Sequence, residues 1–209
     1  MLIKPCYDRL SAMASNRQVR ESLSTSLRYN DPELSSNDHY VSRDKTMPGP
    51  SPEETAKDLA KILEQANRKV VLVESCTAGL AAALLGGVPG VSRFLCGSIV
   101  AYQDEFKSTW LQVDPALIEQ HTSVSQPVTK EMAERAIAAT PFADLSCAIT
   151  GHLGPDAPAA IDGKVFVAIA NHAGGAFAEF EHSLTSKQRI DRQHEAAAFM
   201  LRKLADALE

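Results

Sequence analysis

Residues 69–85 read Lys69-Val70-Val71-Leu72-Val73-Glu74-Ser75-Cys76-Thr77-Ala78-Gly79-Leu80-Ala81-Ala82-Ala83-Leu84-Leu85, and this stretch decides the fold. The β-branched apolar run Val70–Val73 predicts a buried strand. Glu74 to Thr77 form a polar turn, and Ala78-Gly79 lead into an Ala/Leu segment with no helix breaker before Gly86. A strand, a turn and a helix in that order aim the first free helical N–H groups, and the positive end of the helix dipole, at whatever lies beside Ser75. Such a junction suits an anion, or a carbonyl oxygen becoming one. Ser and Thr ahead of a helix also serve as N-caps, and on these residues alone both uses of Ser75 and Thr77 stay open.

Outward from that stretch, strands and helices alternate. Ser51-Pro52-Glu53-Glu54 opens a helix to about Ala66, with the serine as cap, proline just inside and a carboxylate in the capping-box position. Phe94–Tyr102 predicts a second strand, Gln103–Val113 a short helix, Asp114-Pro115 another helical turn, and Ser125-Gln126-Pro127 a longer helix through Ala139, again with Ser as cap. Asp144–Thr150 reads as a third strand. Lys164–Ala170 and Ala176–His182 flank Gly174-Gly175 as a hairpin. Ser186–Leu208 closes the chain as an amphipathic helix. The expected fold is a three-layer α/β/α domain with a mixed, mostly parallel sheet.

Residues 1–50 differ from the rest: Ser, Asn, Asp and Arg dominate, no period is sustained, and the segment ends in Pro48-Gly49-Pro50. They read as a poorly ordered tail beside a folded domain at 51–209. Leu10–Leu27 could form only a transient helix, and Met47 also fits a start of translation.

With 209 residues, 44% of them hydrophobic and 22% charged, the composition is that of a globular protein with room for one domain. The formal net charge of −5 argues against a nucleic-acid surface, so any bound anion needs a local basic cluster. Cys6, Cys76, Cys96 and Cys147 show neither C-x-x-C spacing nor zinc-ligand spacing with the six His. Free thiols in a reducing cytoplasm are expected, with no metal and no organic cofactor. No apolar run reaches the roughly 18 residues of a membrane span, and the start of the chain lacks a secretory pattern.

In an open α/β sheet the binding crevice lies beyond the carboxyl ends of the strands. Three such ends carry chemistry here: Ser75, then Tyr102 with Lys107, then Thr150-Gly151. A serine hydroxyl is a weak nucleophile until a base takes its proton, and a desolvated lysine can be that base. Tyr102 could relay the proton or align the hydroxyl, and the first helical N–H groups could hold a tetrahedral oxyanion. Each residue also has an ordinary use: Lys107 as a solvated charge, Tyr102 as a packing ring, Thr150 as a turn residue. Cys76 invites a thiol mechanism, although no histidine sits at a matching strand end.

Taken together, Glu74-Ser75-Cys76-Thr77-Ala78-Gly79, Val100-Ala101-Tyr102-Gln103-Asp104-Glu105-Phe106-Lys107, Ser123-Val124-Ser125 and Thr150-Gly151-His152-Leu153-Gly154-Pro155 resemble the CinA C-terminal domain family over about Glu54 to Leu208. The resemblance implies a nicotinamide-nucleotide amidase, which hydrolyses the carboxamide of nicotinamide mononucleotide to nicotinate mononucleotide and ammonia. It implies Ser75 as nucleophile, Tyr102 and Lys107 as its activating partners, and Thr150 with Gly151 as substrate-positioning residues. Thr77, Ala78 and Gly79 would shape the helix start beside the substrate. It further implies anion contacts in Lys187-Gln188-Arg189-Ile190-Asp191-Arg192, from Lys187, Arg189 and Arg192, and a homo-oligomer. Ala196, Ala197, Phe199, Met200 and Leu204 of the last helix supply apolar surface for such an assembly.

Three departures stand out. The family's T-G-G is Thr77-Ala78-Gly79 here, T-G-I-A-G-P is Thr150-Gly151-His152-Leu153-Gly154-Pro155, and V-G-T-V is Asp162-Gly163-Lys164-Val165. They leave the three chemical groups in place and alter the loop that would meet base or ribose. A pocket that binds a nucleotide or a partner without turnover, or that hydrolyses another small amide, is therefore a second reading.

Overall fold

The computed structural model describes residues 49–209, so the expected tail at 1–50, with its transient helix and Met47, lies almost wholly outside the described residues. The first helix, α1 (Pro52–Ala66), starts as the sequence predicts: Glu54 N–H donates to Ser51 Oγ, and Ser51 N–H donates to Glu54 Oε2. There follow β1 (Val70–Glu74), α2 (Leu80–Gly86), a 3₁₀ turn at Val91–Arg93, β2 (Leu95–Val100), α3 (Asp104–Trp110), α4 (Pro115–His121) and α5 (Gln126–Ala139). The chain then runs through β3 (Leu145–Gly151), β4 (Lys164–Asn171), β5 (Gly175–Ser183) and α6 (Arg189–Asp206).

The sheet order is β2-β1-β3-β4-β5. β1 pairs in parallel with β2 and β3, while β3–β4 and β4–β5 are antiparallel. Two reversals return β5 to the direction of β3, so β4 alone runs against the other four strands. The mixed α/β sheet and the terminal hairpin are as the sequence predicts.

Two cores sandwich this sheet, and strand alternation sorts the side chains between them. Val70 and Leu72 of β1, with Leu145, Cys147 and Ile149 of β3, face α1, α2 and α6. Val71 and Val73, with Ala148 of β3 and Ala168 and Ala170 of β4, face Val128, Met132, Ala133 and Ile137 of α5. Alanines on that face let α5 settle close to the sheet, and Ser146 Oγ donates to the Ala133 carbonyl at 2.6 Å.

Three expectations need correction. Ser125 does not cap α5 with its side chain; its Oγ donates backwards to the Thr122 carbonyl. The closing helix begins at Arg189 rather than Ser186, because the N–H groups of Thr185 and Ser186 donate to the Glu195 carboxylate and hold the segment ahead of the helix. The apolar face of α6 is not spare either. Ala196, Ala197, Met200 and Leu204 are fully buried and Phe199 nearly so, packed into the domain's own core beside α1. Among the described residues no helix is long and apolar enough to cross a membrane.

Candidate active site

Register decides what meets what. Glu74, the last residue of β1, pairs with Val100 of β2 and with Ile149 of β3. β1, in the middle of the three, and β2 therefore end level, and β3 runs on past them through Thr150 and Gly151. Ser75 N–H extends the ladder by one bond to the Ile149 carbonyl, and Ala101 N–H bonds the Glu74 carbonyl. Ser75, the Ala101–Tyr102 turn and Thr150 thus stand side by side at the carboxyl edge of the sheet, as the crevice rule requires.

Glu74 was not among the residues that sequence reasoning singled out, yet it organises the site. Its side chain is wholly buried. Its carboxylate accepts from the N–H groups of Gly79, Ala81 and Ala82 at 2.9–3.0 Å and from Ser98 Oγ at 3.2 Å. This overturns two expectations. No side chain at the cap position caps α2: Gly79 stands there, and neither Ser75 nor Thr77 does the capping. The first helical N–H groups are not open to an external oxyanion, because those of Ala81 and Ala82, with that of the cap residue Gly79, already solvate an internal carboxylate. The signal available in the sequence was a carboxyl at the end of an otherwise apolar strand, where a charge is tolerated only with strong partners.

Ser75 is 7% exposed, and its hydroxyl enters no hydrogen bond among the described residues. Thr77 is buried, and its Oγ1 is the one buried side-chain polar atom there without a partner. The Thr77 carbonyl, by contrast, is held from across the site by Gln193 Nε2 of α6 at 2.8 Å. Ala78 adopts φ 52° and Gly79 φ 95°, so the turn bends through two consecutive left-handed residues. Gly151 is sterically required: a Cβ there would lie 2.5 Å from Val165 Cγ1 and 3.0 Å from Cys76 Sγ. Burial pushes the Cys76 thiol up to about 12, which keeps it protonated and removes the thiol mechanism from consideration.

Lys107, in contrast to the solvated charge it could have been, is 1% exposed. Its Nζ donates to the Tyr102 carbonyl and to Asp104 Oδ1, both at 3.2 Å. Asp104 in turn accepts from Ser123 Oγ. The link between Tyr102 and Lys107 is thus made by the backbone of Tyr102. Its ring is half-exposed, and its phenol oxygen accepts from Arg189 Nη2 at 2.8 Å. Arg189 also donates to the Gly154 carbonyl, tying the loop after β2 to the loop after β3.

Thr150 is buried, and its Oγ1 lies 2.7 Å from that of Thr129. Thr129 spends its own proton on the Ser125 carbonyl, so Thr150 is the donor of the pair. Of the expected anion contacts, Lys187 is exposed ahead of α6, Arg189 bridges the two loops, and Arg192 is engaged by Asp162 through Nη1 at 2.7 Å and Nη2 at 2.9 Å. These residues line a cavity of about 550 Å³ with the 153–159 loop.

Comparison with known proteins bears on the family and the fold. The model of the CinA C-terminal domain matches residues 52–208. The CinA-like protein of Mycobacterium tuberculosis (strain ATCC 25177 / H37Ra) is 48% identical over 97 residues, covering 46% of this chain and 22% of that protein. The CinA-like protein of Mycobacterium avium (strain 104) is 52% identical over 91 residues, covering 43% and 20%. The matched stretch thus spans about a fifth of those relatives. Among solved structures, the competence or damage-inducible protein of Enterobacter asburiae superposes with a TM-score of 0.70 at 28% identity, covering 77% of this chain and 100% of that one. The competence/damage inducible protein CihA of Agrobacterium tumefaciens gives 0.70 at 25%, covering 78% and 98%. Matched by the family's model over residues 52–208 and alike in fold to solved structures of that kind, the chain belongs to the CinA C-terminal domain family.

Proposed function

We propose that this protein hydrolyses the carboxamide of a pyridine nucleotide, with nicotinamide mononucleotide as the substrate that the resemblance implies, yielding nicotinate mononucleotide and ammonia. The observation that carries the reading is the burial of Lys107, whose Nζ reaches the Tyr102 carbonyl just past the end of β2. A lysine held at 1% exposure has been taken out of water for a reason that a solvated charge does not need.

In this reading Ser75 Oγ attacks the carboxamide carbon while Lys107, oriented by Asp104 and the Tyr102 carbonyl, accepts the hydroxyl proton. The Ser75 hydroxyl enters no hydrogen bond among the described residues, and catalytic hydrogen bonds commonly form only with substrate in place. Because Glu74 occupies the α2 amides, the oxyanion falls to donors ahead of that helix, of which the unpartnered Thr77 hydroxyl is one. Ammonia leaves with a proton returned from Lys107, and water then cleaves the acyl-serine. Arg189, a wall residue of the cavity, holds the Tyr102 phenol, so in this reading the phenol serves the substrate rather than Ser75.

The test is ammonia release from nicotinamide mononucleotide by the wild-type protein and by Ser75→Ala. Loss of a nucleophile is expected to lower the rate at least about 10³-fold. Equal rates in the two proteins would remove Ser75 from the mechanism.

A further inference from the structure

Asp162 stands where the family pattern carries an apolar residue, and the structure shows what its carboxylate does. The Arg192 guanidinium is fully committed on one edge: Nε donates to the Ser186 carbonyl at 2.8 Å, and Nη1 and Nη2 fork onto Asp162 Oδ1 and Oδ2 at 2.7 and 2.9 Å. An end-on fork of this kind fills the two parallel N–H directions with which Nη1 and Nη2 would take a phosphate, while the Ser186 carbonyl occupies Nε. The guanidinium cannot easily turn away, since its side chain is 14% exposed and lies against two glycines. A Cβ at Gly154 would come within 3.0 Å of Nη1 and one at Gly163 within 3.6 Å of Cζ. Asp162 is itself part of the cavity wall, together with Lys187 and Arg189.

We propose that Asp162 is a specificity-determining residue whose carboxylate occupies Arg192 as a built-in substitute for the anionic end of a substrate. A phosphomonoester entering the cavity meets a guanidinium already bidentate to a tethered carboxylate. To bind there it must displace a group of high effective concentration, or sit beside its negative charge. Resting on the amidase reading of the same site, the inference narrows the substrate class: the preferred carboxamide lacks a phosphate. The dephosphorylated pyridine nucleoside is accepted at least as well as the mononucleotide.

The experiment separates this assignment from the amidase reading by measuring binding as well as turnover. Inorganic phosphate is titrated calorimetrically into wild type, Asp162→Val, Asp162→Asn and the double variant Asp162→Val/Arg192→Gln. The ratio of kcat/KM for nicotinamide mononucleotide to that for nicotinamide riboside is measured on the same four proteins. Phosphate affinity and the kcat/KM ratio are each expected to rise at least about 10-fold in Asp162→Val, and the gain should vanish in the double variant. Asp162→Asn, which keeps size and one acceptor, should show the same direction and holds the test open if the valine variant loses its fold. Unchanged phosphate affinity and an unchanged ratio in both single variants overturn the proposal, as does a wild-type preference of 10-fold or more for the mononucleotide. If no protein releases ammonia yet phosphate affinity rises in the single variants, the amidase reading fails and the role of Asp162 stands.

Discussion

Ala78 holds φ at 52° one residue ahead of the glycine that opens α2, a conformation that costs an L-residue with a Cβ about 1–2 kcal/mol. Glycine would remove that cost but bring back about 0.5–1 kcal/mol of chain entropy. Ala78→Gly is therefore expected to stabilise the protein by about 0.5–1 kcal/mol and raise the thermal midpoint by about 2 °C. A midpoint at or below that of the wild type would mean that the turn carries no strain at Ala78. The sequence marked this position by contrast with the family pattern, while the sign of its φ was visible only in three dimensions. Ser75, Lys107 and Thr150 were legible for another reason: each follows or closely trails an apolar run, and strand ends are where open sheets place their ligands. The partners of those residues were not legible. Asp104 holds Lys107 from three positions away, but Gln193 reaches the Thr77 carbonyl across 116 residues, and no local pattern encodes such a contact.

At the scale of elements, β1 and α2 are joined by a buried charge. Glu74 satisfies the N–H of the cap residue Gly79 and two N–H groups of α2, those of Ala81 and Ala82, which the short helix leaves without another partner. Glu74→Gln keeps the volume but removes the charge and turns one acceptor into a donor facing other donors, so about 3 kcal/mol of stability should be lost. A drop in the urea midpoint with the slope unchanged would register it; an unchanged midpoint would show that the helix start is held by packing instead. Periodicity placed the strands and helices to within a few residues, since alternation along β1 and β3 and the capping box of α1 are local signals. The start of α6 was harder to read, as was the cap of α5: Ser125 takes the cap position but its hydroxyl is diverted to the Thr122 carbonyl, and Ser186 stays ahead of α6 because its N–H donates to Glu195.

For the molecule as a whole, Glu195 and Asp162 are two of the carboxylates that contribute to the acid limit of stability. Burial works against ionisation of Glu195, but the N–H groups and hydroxyls of Thr185 and Ser186 outweigh it and hold the group below its ordinary value of 4.5. The Arg192 fork holds Asp162 below 3.8. Both groups bind protons more readily in the unfolded chain. Their contribution is therefore complete above the unfolded values and is lost as pH falls through the lower folded ones. The urea midpoint should decline as pH drops below 4.5, and Glu195→Gln should decline less steeply over that range; parallel profiles would exclude Glu195 as a source of the acid limit. Trp110 ends the same short helix that carries Lys107. It is the only tryptophan in the chain, 71% exposed and stacked on Phe106 at a centroid distance of 5.7 Å. The chain's sole indole chromophore is thus a solvated one, placed a single helical turn from the buried Lys107 amine. Its emission reports the surroundings of that helix rather than the two cores, which gives the site an intrinsic optical label and leaves the interior spectroscopically silent.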